Sequence, residues 1–142
     1  MKLVTTSRPA TKRERLMQEF VEWDDSGRQT VPTARLLAGM YAMRYRQRYH
    51  MMPMSPVQDD LESFDSMLAL LDSNKSLAPY CLDVLFANKD FNVNSTAFSN
   101  PNILDKWNVI EKADRLRQKD GRTGGEQAEV TSSTKKYGVI RV

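Results

Sequence analysis

Few side chains in this sequence are of kinds that do covalent or metal chemistry. His50 is the only histidine and Cys81 the only cysteine, so a zinc site built from several such ligands cannot form within one chain. A Cys81–His50 dyad would need the fold to bring the two together, and Cys81 falls on the apolar face of an expected helix, where an inert buried thiol is the usual case. Asp59 and Asp60 are adjacent, as are Asp24 and Asp25. Neighbouring helix positions point about 100° apart, so neither pair converges on one substrate atom. A carboxylate metal site pooled from different helices stays open, but no spacing asks for one. The segment GRTGG at 121–125 lacks the Lys and Ser/Thr of a phosphate-binding loop and follows a basic helix where such a loop would precede one. The expectation is a protein without catalytic activity, cofactor or metal.

The constellation with most physical content is YAMRYRQRYH at 41–50. Tyrosine faces can stack on bases, and arginine forks can hold phosphate, so interleaving both at helix spacing is what a nucleic-acid contact needs. Arg44, Arg46, Arg48 and Tyr49, with His50, are the candidates, while Tyr41 and Tyr45 read first as core. A second basic patch is Lys112, Arg115, Arg117 and Lys119, a partial helical stripe, and Lys135 and Lys136 follow it. The plain alternative is that the tyrosines pack and the cations merely solvate helix ends. Asp59, Asp60, Glu62 and Asp65 crowd the first half of another expected helix, where carboxylates compensate the helix dipole on a wet face. Asp59, Asp60 and Glu62 are then the candidate contacts for a basic protein partner.

The charge is laid out in blocks. Residues 1–53 carry 10 basic and 5 acidic groups, residues 54–105 carry 2 and 8, and residues 106–142 carry 9 and 5. Basic ends therefore flank an acidic middle, as expected either of a polyanion-binding surface beside an acidic one or of complementary faces packed within or between subunits. With 142 residues, 40% of them hydrophobic and 27% charged, the chain reads as one domain, and a chain of this size buries about 70% of its unfolded surface without needing a disulfide. No run approaches the roughly 18 apolar residues of a membrane span, and MKLVTTSRPATKRER has no signal-peptide core. A soluble, cytoplasmic protein with no membrane partner is the expectation.

The elements that must position these groups are all helical. Thr11 and Glu14 have capping-box spacing, Leu16, Phe20 and Trp23 make an apolar stripe, and Gly27 can stop the helix, giving helix one over Lys12–Asp25. Helix two opens near Pro32 and runs to Pro53, with apolar residues on so many sides that it should be central. Ser55, Pro56 and Gln58 start helix three, whose stripe is Val57, Leu61, Phe64, Leu68 and Leu71. Helix four begins at Ser76 and Pro79, faces inward with Cys81, Leu82, Leu85 and Phe86, and ends near Asn88. An aromatic-packed loop, DFNVNSTAFSN, leads to helix five, capped by Asn100 and Pro101, with Ile103, Trp107 and Ile110 inward, and running to Gly121. The fold expected is an all-α compact bundle of about five helices over 12–120. A flexible arm (1–11) precedes it and a flexible tail (121–142) follows, whose YGVIRV has enough β-propensity to add an edge strand to a partner.

The order from Val31 to Trp107 resembles a small helical region of phage and plasmid replication-accessory proteins. Tyr45, Arg48 and Tyr49, then Asp60, Leu61, Leu68 and Leu71, then Leu85, Phe86 and Asp90, then Phe98 carry the resemblance. It implies a replication-associated protein of a phage or other mobile element that binds nucleic acid, DNA ahead of RNA, or a replisome protein. The winged-helix initiator domain that often accompanies such a region is not matched. Two roles follow as expectations: a nucleic-acid-associated accessory protein, and an adaptor, such as a helicase-loading or host-inhibiting factor, acting through its acidic helix.

Overall fold

A computed structural model describes residues 10–89 and 94–121, and every structural statement below concerns those residues. They form the all-α bundle that the periodicity requires. Helix α1 spans Lys12–Asp25 and opens on a complete capping box, the Thr11 side chain accepting from the Glu14 N–H and the Glu14 carboxylate from the Thr11 N–H. Helix α2 spans Ala34–Tyr49, capped by Thr33 rather than opened by Pro32, and closes on His50 in the left-handed region (φ 60°). Helix α3 spans Val57–Leu71 and passes through a 3-10 turn at Asp72–Leu77 into α4, Ala78–Ala87. A second 3-10 turn at Ser95–Ser99 precedes α5, Pro101–Asp105, and a third at Lys106–Asn108 joins α5 to α6, Val109–Asp120.

Helix α2 is the centre, packed against α1, α3 and α4. Leu37, Ala38, Met40, Tyr41 and Ala42 are all buried along it. The ring of Tyr41 sits among Tyr45, Phe64, Phe86 and Phe98 at centroid distances of 5.7, 5.6, 6.1 and 5.9 Å, the last edge-on, the tilted geometry that aromatic quadrupoles favour. Gly39 lets α1 and α2 touch through their backbones: a Cβ there would lie 2.0 Å from the Leu16 carbonyl oxygen.

Two further details depart from the sequence expectation. Pro56, not Ser55, is the N-cap of α3, because the Ser55 hydroxyl is engaged with Asp60 instead. The single fifth helix is broken, with Trp107 (φ 62°) and Asn108 (φ 55°) in the left-handed region. The break resets the helical phase, so Leu104, Val109 and Ala113 are buried while Trp107 is half-buried and Ile110 exposed. Residues 1–9 of the expected arm (1–11), residues 90–93 of the loop and residues 122–142 of the expected tail (121–142), including YGVIRV, lie outside the described residues.

Gly39→Ala should destabilise the bundle by about 3 kcal/mol, the upper range for overpacking, since the obstructing atom is backbone and cannot swing away. Urea denaturation of the two proteins checks this; equal midpoints would mean that α1 and α2 can separate at no cost.

Candidate polyanion-binding cleft

Which cations are free to meet a ligand depends on how many the fold itself consumes. Arg44 donates from Nε to Asp83 Oδ1 at 2.8 Å, tying α2 to α4. Arg48 donates to the Phe86 carbonyl oxygen at 3.1 Å and lies over the Tyr49 ring at 5.2 Å. Tyr49 in turn packs on Tyr45 at 4.6 Å. Arg117 donates to Ser76 Oγ at 2.7 Å and to Asp114 at 2.9 Å. Arg28 is buried with its guanidinium between Trp23 and Tyr80, 5.3 and 5.0 Å from their ring centroids, its Nε on Asp24 and its Nη1 without a hydrogen-bond partner. The aromatic faces offset part of that desolvation.

The expected grip at the end of α2 is therefore dismantled. Arg44, Arg48 and Tyr49 are structural contacts, and Arg46 alone of the three arginines is exposed. Long-range packing, which local spacing does not carry, assigns them.

The second patch divides in two. Lys112, Arg115 and Lys119 are exposed and recur at i, i+3 and i+7 of α6, with Leu116 between them. About 100° per residue gathers these four on one side of the helix and leaves Arg117 on another. With Asp83, Val84, Ala87 and Asn88 of α4 and its C-cap they line a cleft of about 530 Å³. Arg115 is 3.3 Å from Glu111 in a fully wet pair, which contributes little and yields readily. Val84, Ala87 and Leu116 supply an apolar floor, Leu116 being 37% exposed. Sequence reasoning missed these apolar residues, although the position of Leu116 within the basic stripe could have shown them. Beyond Lys119 a second hollow of about 400 Å³ continues the cleft past Tyr80 and Asp120, toward Arg44 and Arg28.

The acidic candidates also separate. Asp59 and Glu62 are exposed, as expected, but Asp60 is not: it is fully buried. Arg13 Nη1 donates to its Oδ2 at 2.7 Å and Ser55 Oγ to its Oδ1 at 2.7 Å, so it is withdrawn as a partner contact. Its position four residues before Phe64, on the inward stripe, is the clue that composition alone obscured.

His50 is an exposed helix cap and Cys81 is fully buried in α4, where burial pushes the thiol up to about 12. No cluster of three or more His, Cys, Asp or Glu side chains is placed to hold a metal ion among the described residues, and none of their helices is long and apolar enough to cross a membrane. Three cations around a small apolar floor suit an extended polyanion with apolar or flat groups attached. No protein-family model, curated protein or solved structure matches the chain.

Substitution separates the two neighbouring aspartates. Asp60→Ala should cost about 3–5 kcal/mol by stranding the buried Arg13, whereas Asp59→Ala should cost less than about 1 kcal/mol; equal losses in urea denaturation would remove the distinction. Alkaline pH should also destabilise the fold. The Cys81 thiol ionises near 9.0 when unfolded and at about 12 when folded, so the unfolded state sheds its proton first, and stability present below pH 9 is lost as pH rises across that window. Tyr41 and Tyr80 are likewise raised by burial and add to the loss. Cys81→Ala should flatten the first part of this decline in thermal melts against pH.

Proposed function

We propose that this chain is a non-enzymatic, nucleic-acid-associated accessory protein whose α4–α6 cleft holds a phosphodiester backbone. The observation that supports this reading is the stripe of Lys112, Arg115 and Lys119, exposed on one side of α6 and flanking an apolar floor. Cations gathered in a concave site focus potential and displace condensed counterions from a polyanion, where the same charges scattered on a surface would be screened. Leu116 and Val84 give sugars or base faces an apolar seat. The placement in phage or mobile-element replication, and the preference for DNA over RNA, rest on the resemblance of the Val31–Trp107 segment to a helical region of phage and plasmid replication-accessory proteins. A cytoplasmic site of action goes with that placement.

A second reading, an adaptor for a basic protein, is supported by a different face. Asp59, Glu62 and Asp65 are exposed on α3, and Leu70, at 43% exposure, extends the same helix outward.

Fluorescence anisotropy with labelled single-stranded and duplex DNA and RNA tests the first reading. Three phosphate contacts predict a slope of about −2 to −3 in log affinity against log salt for duplex DNA. Lys112→Glu combined with Arg115→Glu should abolish binding with the melting temperature unchanged, while Arg117→Gln should lower the melting temperature and leave the slope alone. Absence of binding at low salt, or an affinity indifferent to the double substitution, overturns the reading.

A further inference from the structure

The outward face of α3 and the α4–α6 cleft are opposite in charge and similar in length. On α3, Asp59, Glu62, Ser66, Ala69 and Leu70 are all exposed, and about 100° per residue places them along one side of the helix, with Asp65 at its edge. Asp59, Glu62 and Asp65 span about 9 Å of helix axis, and Lys112, Arg115 and Lys119 about 10.5 Å, at 1.5 Å rise per residue. Each row has its own exposed apolar residue, Leu70 at 43% and Leu116 at 37%. The cleft is an open concavity of about 530 Å³, and the α3 face is a convex helical ridge.

We propose that the occupant of the cleft is a second copy of this chain, presenting the Asp59–Glu62–Asp65 ridge of its α3. Carboxylates would meet ammonium and guanidinium groups row to row, and Ala69 or Leu70 would reach the apolar floor around Leu116 and Val84. The two surfaces lie on different parts of one molecule, so the contact is heterologous: each copy offers a ridge to one neighbour and a cleft to another, which yields a ring or an open chain of protomers. The pairs are exposed and screened by salt, so association is reversible and strengthens as ionic strength falls. It needs no nucleic acid, and stands if the reading above fails. Where both hold, the acidic ridge occupies the place of the phosphate backbone, and polyanion binding releases the protomers from one another.

Sedimentation velocity of the nuclease-treated full chain, at low and high salt over a wide concentration range, tests this. Wild type should sediment as a concentration-dependent series at low salt and as a monomer at high salt. Asp59→Lys with Glu62→Lys should be monomeric at low salt, and so should Lys112→Glu with Arg115→Glu, each with an unchanged circular dichroism spectrum. Mixing the two variants in equal amounts should restore association, since each reversed ridge then meets a reversed cleft and each native ridge a native cleft. The neutral pair Asp59→Asn with Glu62→Gln should weaken self-association, and mixed with Lys112→Glu/Arg115→Glu it should stop at a dimer, held by the one native ridge in the one native cleft. A wild-type monomer at every concentration in low salt, or reversed variants whose mixture stays monomeric, overturns the proposal.

Discussion

The buried ion pair between Arg13 and Asp60 sets the rotation of α3, and the exposed chemistry of that helix follows from it. The carboxylate is fully enclosed, with Arg13 on one oxygen and Ser55 on the other, and Arg13 also donates to the Ser55 carbonyl oxygen at 2.6 Å. Such a pair gains little over a well-packed apolar one, because desolvation cancels most of the attraction. What it excludes is misalignment. With Asp60 pointing inward, Phe64, Met67 and Leu71 follow at helical spacing and are buried, while Asp59, Glu62, Ser66 and Leu70 are turned to solvent. A different rotation would bury an unpaired Glu62 or Asp59, which costs several kcal/mol.

The basic-acidic-basic order of the chain takes on a physical meaning through such pairs. Two carboxylates of the acidic middle, Asp60 and Asp83, neutralise two arginines of the first block, Arg13 and Arg44. Within the first block, Asp24 pairs with Arg28 and Glu19 with Arg35. The arginines that look most like ligands in the sequence are thus largely internal ties, as suits a planar fork that keeps its charge when buried. Beyond these ties, Asp59, Glu62 and Asp65 form an exposed acidic row on α3, and Lys112, Arg115 and Lys119 an exposed basic row on α6. Net charge is a poor guide here, because it sums these internal ties together with the exposed rows.

Local signals carried most of the fold. The Thr11–Glu14 capping box starts α1 where the sequence places it, and the stripes through Leu16, Phe20 and Trp23 and through Phe64, Leu68 and Leu71 face the core. These readings succeed because caps and periodicity are contained within one helix. The site was less legible because its assignment is non-local. Arg44 is separated from Asp83 by 39 positions and Arg48 from Phe86 by 38, and no window along the chain reports such a pairing. Gly39 is similar: its spacing looks ordinary, and only the approach of the Leu16 carbonyl shows why a side chain is excluded there.

The break at Trp107 and Asn108 shows how strain at the start of α6 can create the cleft along it. Left-handed backbone costs about 1–3 kcal/mol at a residue such as Trp107 and less at asparagine, and neither Gly nor Pro marks the place. An unbroken helix from Pro101 with Ile103, Trp107 and Ile110 inward would carry Asp114 and Arg117 into its buried seam. The break shifts the buried face of the following helix by about 100°, at 100° per residue, so that Val109 and Ala113 form the seam instead. Leu116 then falls at the edge of contact with α4. Lys112, Arg115 and Lys119 come to rest beside Val84 and Ala87, and Arg117 turns away to Ser76 and Asp114. The strained turn is offset by burial of Leu104, Val109 and Ala113 on either side of it, and the same rotation that satisfies this seam places three cations along one wall of a cleft.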